Sequence, residues 1–387
     1  MTSMHLGGAE RSLIGLLNVI DYSRYDVDLF LNRHEGELME DIPSEVNMLP
    51  EDEKYKSLTE PMSDTIKRGQ LVIALCRLIA KLAAQKKIGG KNRDGGITVD
   101  YSHKYTKWIM PRINPELEYD LAISYITPHY FVAEKIRAKK KIAWIHTDYS
   151  QIELDANSQM KMWSKYDQIV SISDMVSKQF VKLFPLLEPK LVRIENILPE
   201  KLIRRQAEEF IAALPESNYR LLSIGRFSYP KNFENIPAIC AELVAMGLDV
   251  SWSIIGYGGD EAMIRESIKA NEMENRVKIL GKQSNPYPYI KICDLYVQPS
   301  RYEGKCVAVR EAQMLGKPVV ITDFPTATCQ LEDGVDGVIA PLDNKGCAEV
   351  IAALLLDSKK MRKLADTCKS REYSNKNEII KFEHLLN

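Results

Sequence analysis

Residues 219–232 read "YRLLSIGRFSYPKN", and this stretch sets the pattern for the second half of the chain. A short apolar run ends in glycine, and a polar loop that carries Arg226 and Lys231 follows it. Such runs between turn residues indicate buried strands. The same pattern recurs at 250–256, 276–281, 294–300 and 318–323. Amphipathic stretches such as 232–247 and 260–272 lie between the runs, which predicts a parallel sheet with helical connections.

The first half of the chain repeats this alternation. Its strand-like runs, each followed by a stretch of helical period, are 26–31, 119–125, 141–146 and 168–173. Two such series predict an α/β chain with two Rossmann-like, doubly wound domains. A strand-like run ends and a proline follows within 196–202, so we place the boundary there, with domains at 1–197 and 198–370. Ligands of such sheets bind beyond the carboxyl ends of the strands.

Composition excludes several classes of protein. The 387 residues carry a formal net charge of −1, so no global field selects nucleic acid. The seven cysteines are scattered without C-x-x-C spacing, which argues against a disulfide framework or a zinc ribbon. The N-terminal residues lack an apolar signal region, and no apolar run reaches the roughly 20 residues that span a bilayer. We therefore expect a cytoplasmic protein, with a peripheral position on the inner face of the membrane as the alternative.

Polar groups gather after the strands of the second half. They occur in "RFSYPKN" (226–232), "YGGDE" (257–261) and "RYEGKCVAVRE" (301–311). Cations, glycine turns and helix N-termini at one edge of a sheet suit a diphosphate. No D-x-D cluster occurs in the second half of the chain to hold a divalent cation there, so the cations are expected to replace a metal.

The stretch 301–311 also contains two glutamates, Glu303 and Glu311. A helix that begins near Val307 would place Glu311 in its second turn and Glu303 in the preceding loop. Carboxylates at two depths suit the hydroxyl groups at the two ends of a nucleotide sugar. The backbone amides of Lys305, Cys306 and Val307 are then expected to cap the diphosphate. Read alone, the two glutamates are ordinary surface charges, and Cys306 is a neutral packing residue rather than a nucleophile.

These motifs resemble glycosyltransferase family 4, whose members are retaining enzymes of GT-B fold, with two domains facing each other across a cleft. The resemblance rests on "GGAERSL" (7–13), "WIHTD" (144–148), "GRFSYPKN" (225–232) and "PSRYEGKCVAVREAQMLGKPVV" (299–320), and it covers nearly the whole chain. It also implies a strand before the "GGAE" loop, although "MTSMHL" (1–6) lacks a strand pattern.

The resemblance implies a role for each matching residue. Glu311 would bind the donor ribose and Glu303 the hydroxyls of the donor sugar. Arg226 and Lys231 would hold the diphosphate, and His146 would contact the sugar near the reacting carbon. Further donor contacts are implied at Gly8, Gly225, Gly256, Lys282, Gly304, Lys305, Cys306 and Val307. The resemblance also implies that 371–387 crosses back to the N-terminal domain.

One amphipathic stretch leaves two readings open. In 68–87, Leu71, Leu75, Leu78 and Leu82 share a helical face, with Arg77 and Lys81 opposite. Such a basic helix either packs its leucines into the core or lies on an anionic membrane, and we assign the second role to 66–93.

The resulting hypothesis is a retaining, metal-independent glycosyltransferase of surface polysaccharide biosynthesis. Its partners would be a nucleotide sugar donor, most readily a UDP-sugar, and a glycan or lipid-linked acceptor, without nucleic acid and without a cofactor. The second domain would bind the donor and the first the acceptor. A sugar-nucleotide epimerase of the same fold and a non-catalytic nucleotide-sugar-binding protein are the alternatives. An epimerase would convert the sugar without any acceptor, and a binding protein would show no turnover.

Overall fold

The computed structural model describes residues 1–88, 96–147, 149 and 152–386. The chain divides into two units: Met1–Ile197 together with the tail from Lys376, and Leu198–Asn375. Each unit contains a sheet whose strands are parallel, with helices between successive strands. The alternation of strands and helices that the sequence predicts is therefore present in both units.

The structure corrects the point at which the chain returns to the first unit. Residues 371–375, expected to belong to the first unit, lie in the second. Arg371 forms an ion pair with Asp336, and Tyr373 is 2% exposed and donates a hydrogen bond to the same carboxylate. The N–H of Leu198 donates to the carbonyl of Ser374 over 2.8 Å, so the entry and exit of the second unit are bonded to each other.

The second unit is built on a six-stranded parallel sheet. Its strands are β7 (Tyr219–Ile224), β8 (Val250–Ile255), β9 (Val277–Gly281), β10 (Leu295–Gln298), β11 (Val319–Thr322) and β12 (Val338–Ala340). They lie in the order β12-β11-β10-β7-β8-β9, so the chain first builds outward from β7 and then restarts on its other side with β10. This reversal makes the sheet doubly wound, and it places a topological switch point between β7 and β10.

Helices cover the two faces of this sheet, which is why its strands are apolar on both sides. The helices are α9 (Glu200–Gln206), α10 (Ile236–Ala245), α11 (Glu261–Ala270), α12 (Tyr287–Ile292), α13 (Val307–Met314), α14 (Ala327–Gln330), α15 (Asn344–Leu356) and α16 (Ser358–Ser370). Alternate strand residues enter separate apolar cores, with Leu221 and Val297 in one and Leu222 and Tyr296 in the other. All residues of β8, β10 and β11 are buried, as expected for a parallel sheet.

The first unit contains a four-stranded parallel sheet and a separate pair of short strands. The strands are β1 (Asp28–Leu29), β2 (Asn47–Met48), β3 (Tyr119–Ser124), β4 (Ala138–Ile145), β5 (Gln168–Ser171) and β6 (Leu191–Arg193). The larger sheet follows chain order, β3-β4-β5-β6, and β1 pairs with β2. The helices are α1 (Gly8–Leu17), α2 (Glu53–Lys56), α3 (Met62–Lys67), α4 (Leu71–Ile88), α5 (Gly96–Thr106), α6 (Tyr130–Lys135), α7 (Ala156–Trp163), α8 (Asp174–Leu183) and the tail helix α17 (Glu378–His384).

The strand predicted at 26–31 is reduced to the two residues of β1. The backbone that follows it bonds instead to the first residues of the chain, since the amino group of Met1 donates to Phe30 and the N–H groups of Asn32 and Arg33 donate to Met1 and Thr2. Met4 is fully buried there. These first residues of the chain lack a strand pattern in the sequence. They bond to this segment through backbone groups, and side-chain periodicity does not reveal such bonds.

No helix among the described residues combines the length and the apolar composition needed to cross a bilayer.

Buried histidines make the first unit sensitive to acid. His129 is fully buried, its Nδ1 lies 2.8 Å from the hydroxyl of Ser124, and its burial lowers its pKa to about 3, with His146 and His103 adding to the shift. Between about pH 6.5 and pH 3 this side chain is protonated in the unfolded chain but remains neutral in the folded chain. The free energy of unfolding therefore falls as the pH falls through this window.

We expect His129→Gln to flatten this dependence by one proton, about 1.4 kcal/mol per pH unit in that window. The measurement is urea unfolding at several pH values between 7.5 and 4. Equal slopes for His129→Gln and the wild type would contradict the assignment.

Candidate functional site

The switch point of the second sheet brings two polar loops together. One loop follows β7 and contains residues 225–232, and the other follows β10 and contains residues 299–306. Because β7 and β10 are hydrogen-bonded neighbours, the loops meet at the same edge of the sheet. Ligands bind at this edge in open α/β sheets.

The centre of this site is an ion pair between Lys231 and Glu303. Lys231 Nζ donates to Glu303 Oε1 over 2.6 Å, and the hydroxyl of Ser300 donates to the same oxygen over 2.6 Å. The side chains of the pair are only 19% and 11% exposed. Both residues were predicted for the site from sequence, whereas the direct bond between them and the part of Ser300 were not.

The ammonium of Lys231 keeps its proton near neutral pH. Burial alone would lower its pKa, but Cys306 and Glu303 outweigh burial and hold the pKa of Lys231 above its usual value. Burial raises the pKa of the Cys306 thiol to about 11, so this group is neutral near pH 7. The charge that holds the proton is therefore the carboxylate of Glu303. Cys306 is 3% exposed, which agrees with a packing residue rather than a nucleophile.

Two side chains from the segment that follows β11 hold the loop around Glu303. Thr326 donates its hydroxyl to the carbonyl of Glu303 over 2.7 Å. Gln330, 1% exposed, accepts the N–H of Cys306 over 2.7 Å and donates to its carbonyl over 3.2 Å. Sequence reasoning missed both residues, since they lie more than 20 positions from the loop and no spacing connects them to it.

We call the two hydrogen bonds between Gln330 and the backbone of Cys306 the clamp. The clamp corrects one of the predicted donor contacts. The N–H of Cys306 was expected to cap a diphosphate, but Gln330 already accepts it inside the protein. Gly304 and Lys305 lie in the same loop and are partly exposed, and Val307 is the first residue of α13. The backbone of these three residues keeps the predicted role as a proposal.

Glu311 lies in the second turn of α13, as expected from sequence. It is 1% exposed, and the hydroxyl of Tyr287 donates to its Oε1 over 2.9 Å. Tyr287, at the start of α12, is a further residue that sequence reasoning missed. The ribose role of Glu311 stays a prediction.

The remaining predicted donor residues surround the loops. Arg226 lies two positions after the end of β7 and is exposed. A Cβ on Gly225 would lie 3.3 Å from the Lys231 side chain, and one on Gly256, whose φ is 152°, would lie 1.9 Å from the carbonyl oxygen of Gly225. Both glycines thus allow the loops after β7 and β8 to approach each other. Lys282, beyond β9, lies with Nζ 5.1 Å from the ring centre of Tyr257.

The first unit holds the other two predicted residues, Gly8 and His146. Gly8 begins α1, and Ser12 of this helix hydrogen-bonds to the hydroxyl of Tyr125 over 2.8 Å and donates to Asn196 over 2.9 Å. The ring of Tyr125 lies 4.6 Å from that of His146. The start of α1 and the end of β4 are thus linked, through residues to which sequence reasoning gave no role.

His146 is a neutral side chain in this unit. Burial lowers its pKa to about 3, partly offset by Tyr125. Both ring nitrogens are buried, and apart from the Tyr125 backbone they meet no hydrogen-bond partner among the described residues. Asp148, which belongs to the "WIHTD" motif, lies outside the described residues. A neutral imidazole with an unused nitrogen can donate or accept a hydrogen bond from a ligand hydroxyl.

No cluster of three or more His, Cys, Asp or Glu side chains suited to a metal ion occurs among the residues that the structure describes.

The clamp on Cys306 predicts a measurable effect on amide exchange. Gln330→Leu would leave a buried N–H and carbonyl without partners, at a cost of about 1–3 kcal/mol. We expect the amide of Cys306 to exchange at least tenfold faster in this variant, as measured by hydrogen–deuterium exchange with site resolution. Cys329→Ser, at the exposed neighbouring position, should leave the rate unchanged. Unchanged protection in Gln330→Leu would show that other contacts hold the loop.

Comparison with known proteins identifies the second unit. Residues 204–371 match the family model described as "Glycosyl transferases group 1". The chain is 32% identical over 145 residues to the amylovoran biosynthesis glycosyltransferase AmsK of Erwinia amylovora, a match that covers 35% of each chain. It is 26% identical over 203 residues to N-acetylgalactosamine-N,N'-diacetylbacillosaminyl-diphospho-undecaprenol 4-alpha-N-acetylgalactosaminyltransferase of Campylobacter jejuni, covering 52% of this chain and 54% of that one. The matches thus span between a third and about half of these curated relatives.

A solved structure extends the likeness to the whole fold. HepE from Anabaena, in complex with UDP and glucose, matches with a TM-score of 0.68 at 17% identity, over 99% of this chain and 97% of that chain. This likeness confirms the predicted fold class. The chain has the GT-B fold, and its residues 204–371 match the glycosyl transferases group 1 family model.

Proposed function

We propose that this protein is a retaining glycosyltransferase that moves a sugar from a nucleotide diphosphate sugar, most readily a UDP-sugar, to a glycan or lipid-linked acceptor. Surface polysaccharide biosynthesis is the proposed pathway, at the cytoplasmic face of the membrane. The group 1 match and the names of the relatives support this function. The observation that carries it is the Lys231–Glu303 pair at the switch point of the second sheet.

In this proposal the donor diphosphate lies against the loops after β7 and β10. Charge builds up on the diphosphate as the bond to the sugar breaks, and fixed positive groups in a site of low exposure stabilise it. Lys231 supplies an ammonium group that stays protonated, and the exposed Arg226 supplies a second positive charge. The backbone amides at Gly304, Lys305 and Val307 add hydrogen bonds. With these groups, no metal is required for charge neutralisation.

Glu303 has a binding role in this scheme. Its Oε1 already accepts from Lys231 and Ser300, and an ion-paired carboxylate is a weak nucleophile. A carboxylate has about four acceptor positions, so Glu303 can accept a sugar hydroxyl while it keeps both bonds. Transfer with retention then places the acceptor on the face from which the diphosphate departs, without attack by a protein group.

Glu311 is the proposed contact for the ribose. Since it is 1% exposed, a ribose hydroxyl would add to, or replace, the bond from Tyr287. On the first unit, Gly8 and the neutral His146 are proposed to contact the phosphates and the donor sugar. Gly225, Gly256 and Lys282 complete the proposed donor set.

A donor screen tests the proposal. The protein is incubated with UDP-, GDP-, ADP- and TDP-sugars, with and without chelator, and the released nucleoside diphosphate is measured. We expect release from a UDP-sugar that survives the chelator and falls at least a hundredfold in Lys231→Met, because the leaving diphosphate loses a buried charge. Lys278→Met, an exposed cation of the same sheet, is the control and should retain activity.

The alternatives have distinct outcomes in the same screen. Conversion of the sugar without an acceptor would identify an epimerase. Binding of UDP without release, with every donor and with lipid-linked acceptors present, would identify a non-catalytic binding protein. Lys231→Arg keeps the charge beside Glu303, so its activity separates loss of charge from loss of folding.

We further propose that α4 contacts an anionic membrane surface. Four leucines of α4 are exposed rather than packed into the core. The inward face carries Ile73, which belongs to one apolar cluster, and Ala80 and Ala84, which pack with Ile97 and Tyr101 of α5. The large apolar side chains of α4 that are more than 40% exposed are Leu71, Val72, Leu75, Leu78, Ile79 and Leu82.

Charge on the same helix favours an anionic partner. Lys81, Lys86 and Lys87 are exposed, and the helix contains no acidic residue. Arg77 differs from its sequence-based placement on a solvated face, since its guanidinium bonds to the backbone of Ser57 and Glu60. An exposed apolar face flanked by lysines suits the boundary between lipid head groups and acyl chains. Residues 89–93 of the predicted range lie outside the described residues.

Vesicle sedimentation tests this contact. The full chain should bind vesicles that contain phosphatidylglycerol more tightly than vesicles of phosphatidylcholine alone, and added salt should weaken the binding. Leu75→Gln/Leu82→Gln should reduce it at least tenfold, since each buried leucine contributes about 1.5–3 kcal/mol. Leu356→Gln, a 71% exposed leucine of the second unit, is the control. Equal binding by the double variant and the wild type would refute this role of α4.

A further inference from the structure

The first unit contains a polar cavity that none of the roles above explains. Its volume is about 370 Å³, and it is open to solvent. The cavity is lined by Arg33, Glu60, Pro61, Asp64, Lys67 and Arg68. None of these residues belongs to the predicted donor site or to the exposed face of α4.

Glu60 is the group in this cavity that points to a ligand. Its side chain is 6% exposed, and its Oε1 lies 3.1 Å from the guanidinium of Arg68. Its Oε2 is buried and bonds no group among the described residues. A buried carboxylate oxygen without a hydrogen-bond donor is costly, so a ligand hydroxyl that donates to Oε2 would remove this cost.

The charges of the lining select the class of that ligand. Arg68 also pairs with Glu53, Arg33 pairs with Glu35 over 2.7 Å, and Lys67 pairs with Asp64 over 3.4 Å. Each cation of this lining has a carboxylate partner, and the lining adds no further exposed cation of the kind that Arg226 supplies beside Lys231, so the cavity is poorly suited to phosphate. A free cation would be repelled by the guanidinium beside Glu60. A lipid tail would have no apolar wall to pack against.

A neutral polyhydroxyl compound fits the lining best. Each sugar hydroxyl can donate to a carboxylate and accept from a guanidinium, so it can join paired ions without separating them. The cavity is also held in place before any ligand arrives. Arg77 of α4 bonds to the hydroxyl of Thr65 over 2.8 Å and to the carbonyl of Glu60 over 2.8 Å, which ties α3 and Glu60 to one helix.

We infer that this cavity binds a sugar ring of the acceptor, with Glu60 Oε2 accepting a hydrogen bond from a ring hydroxyl. The guanidinium of Arg68 donates to a neighbouring hydroxyl of the same ring. The inference rests on the proposed function, because it takes the bound sugar to be part of the acceptor glycan. It adds the chemical class recognised and the residues that recognise it.

The test is saturation-transfer difference NMR on the full chain with the methyl glycosides of glucose, galactose, N-acetylglucosamine and N-acetylgalactosamine. We expect a signal from at least one glycoside, and an affinity at least tenfold lower in Glu60→Gln. Glu53→Gln is the matched control, since Glu53 pairs with the same Arg68 but does not line the cavity. It should bind the glycoside as the wild type does.

Three results would overturn the inference: no binding of any glycoside in the panel, equal binding by Glu60→Gln and the wild type, or equal loss in the two glutamate variants. Binding of inorganic diphosphate at the cavity in place of a glycoside would also overturn it. UDP affinity, measured by calorimetry on the same samples, separates this inference from the proposed function. A Glu60→Gln protein that binds UDP normally is correctly folded, and a wild type that binds UDP but no glycoside refutes only the cavity assignment.

Discussion

The pairing of β10 with β7 is the constraint on which the candidate donor site depends. Two strands that are separated by two complete βα units become neighbours, with Leu295 opposite Leu221. The hydroxyl of Ser223, buried in β7, donates to the carbonyl of Val297 over 2.6 Å and accepts from the indole of Trp252 over 2.9 Å. This hydroxyl therefore ties β7 to both of its neighbours. Without that strand order, Lys231 and Glu303 would not meet, because 72 positions separate them.

A second constraint is the support of the loop that carries Glu303. Thr326 and Gln330 hold its backbone, and Ser300 orients the carboxylate. Charged groups that are already oriented need little reorganisation when charge develops on a ligand, which is the usual source of electrostatic stabilisation in enzymes. The support also has a cost, since the N–H of Cys306 is used inside the protein. The hydrogen bond that preorganises the loop therefore also removes one of the amides that could reach a ligand.

The first unit combines features that suit an acceptor with a polar and an apolar part. Arg68 lines the polar cavity, and only three positions later Leu71 begins the exposed apolar face of α4. Arg77 connects the two, because it extends from α4 to the backbone of Glu60. A lipid-linked glycan has the same two parts, one hydroxyl-rich and one apolar. The proposed membrane contact and the proposed sugar cavity therefore support one reading of the acceptor, although each stands on its own side chains.

The sequence by itself determined strands β7 to β11 of the second unit and β3 to β5 of the first, the helix that begins at Val307, and the positions of Arg226, Lys231 and Glu303 at strand ends. These features are local, since burial on both faces of a parallel strand leaves a short apolar run that can be read along the chain. Only the tertiary structure decided which loops meet, that Gln330 takes the Cys306 amide, and that residues 371–375 stay in the second unit. It also decided that α4 turns Ala80 and Ala84 inward and that Glu60 lies in a cavity with one oxygen that bonds no group in the described part of the chain. Periodicity shows that a helix has two faces, but close packing against α5 selects the face with the small side chains. Contacts between distant positions depend on strand order and packing, and neither is encoded in the spacing of residues along the chain.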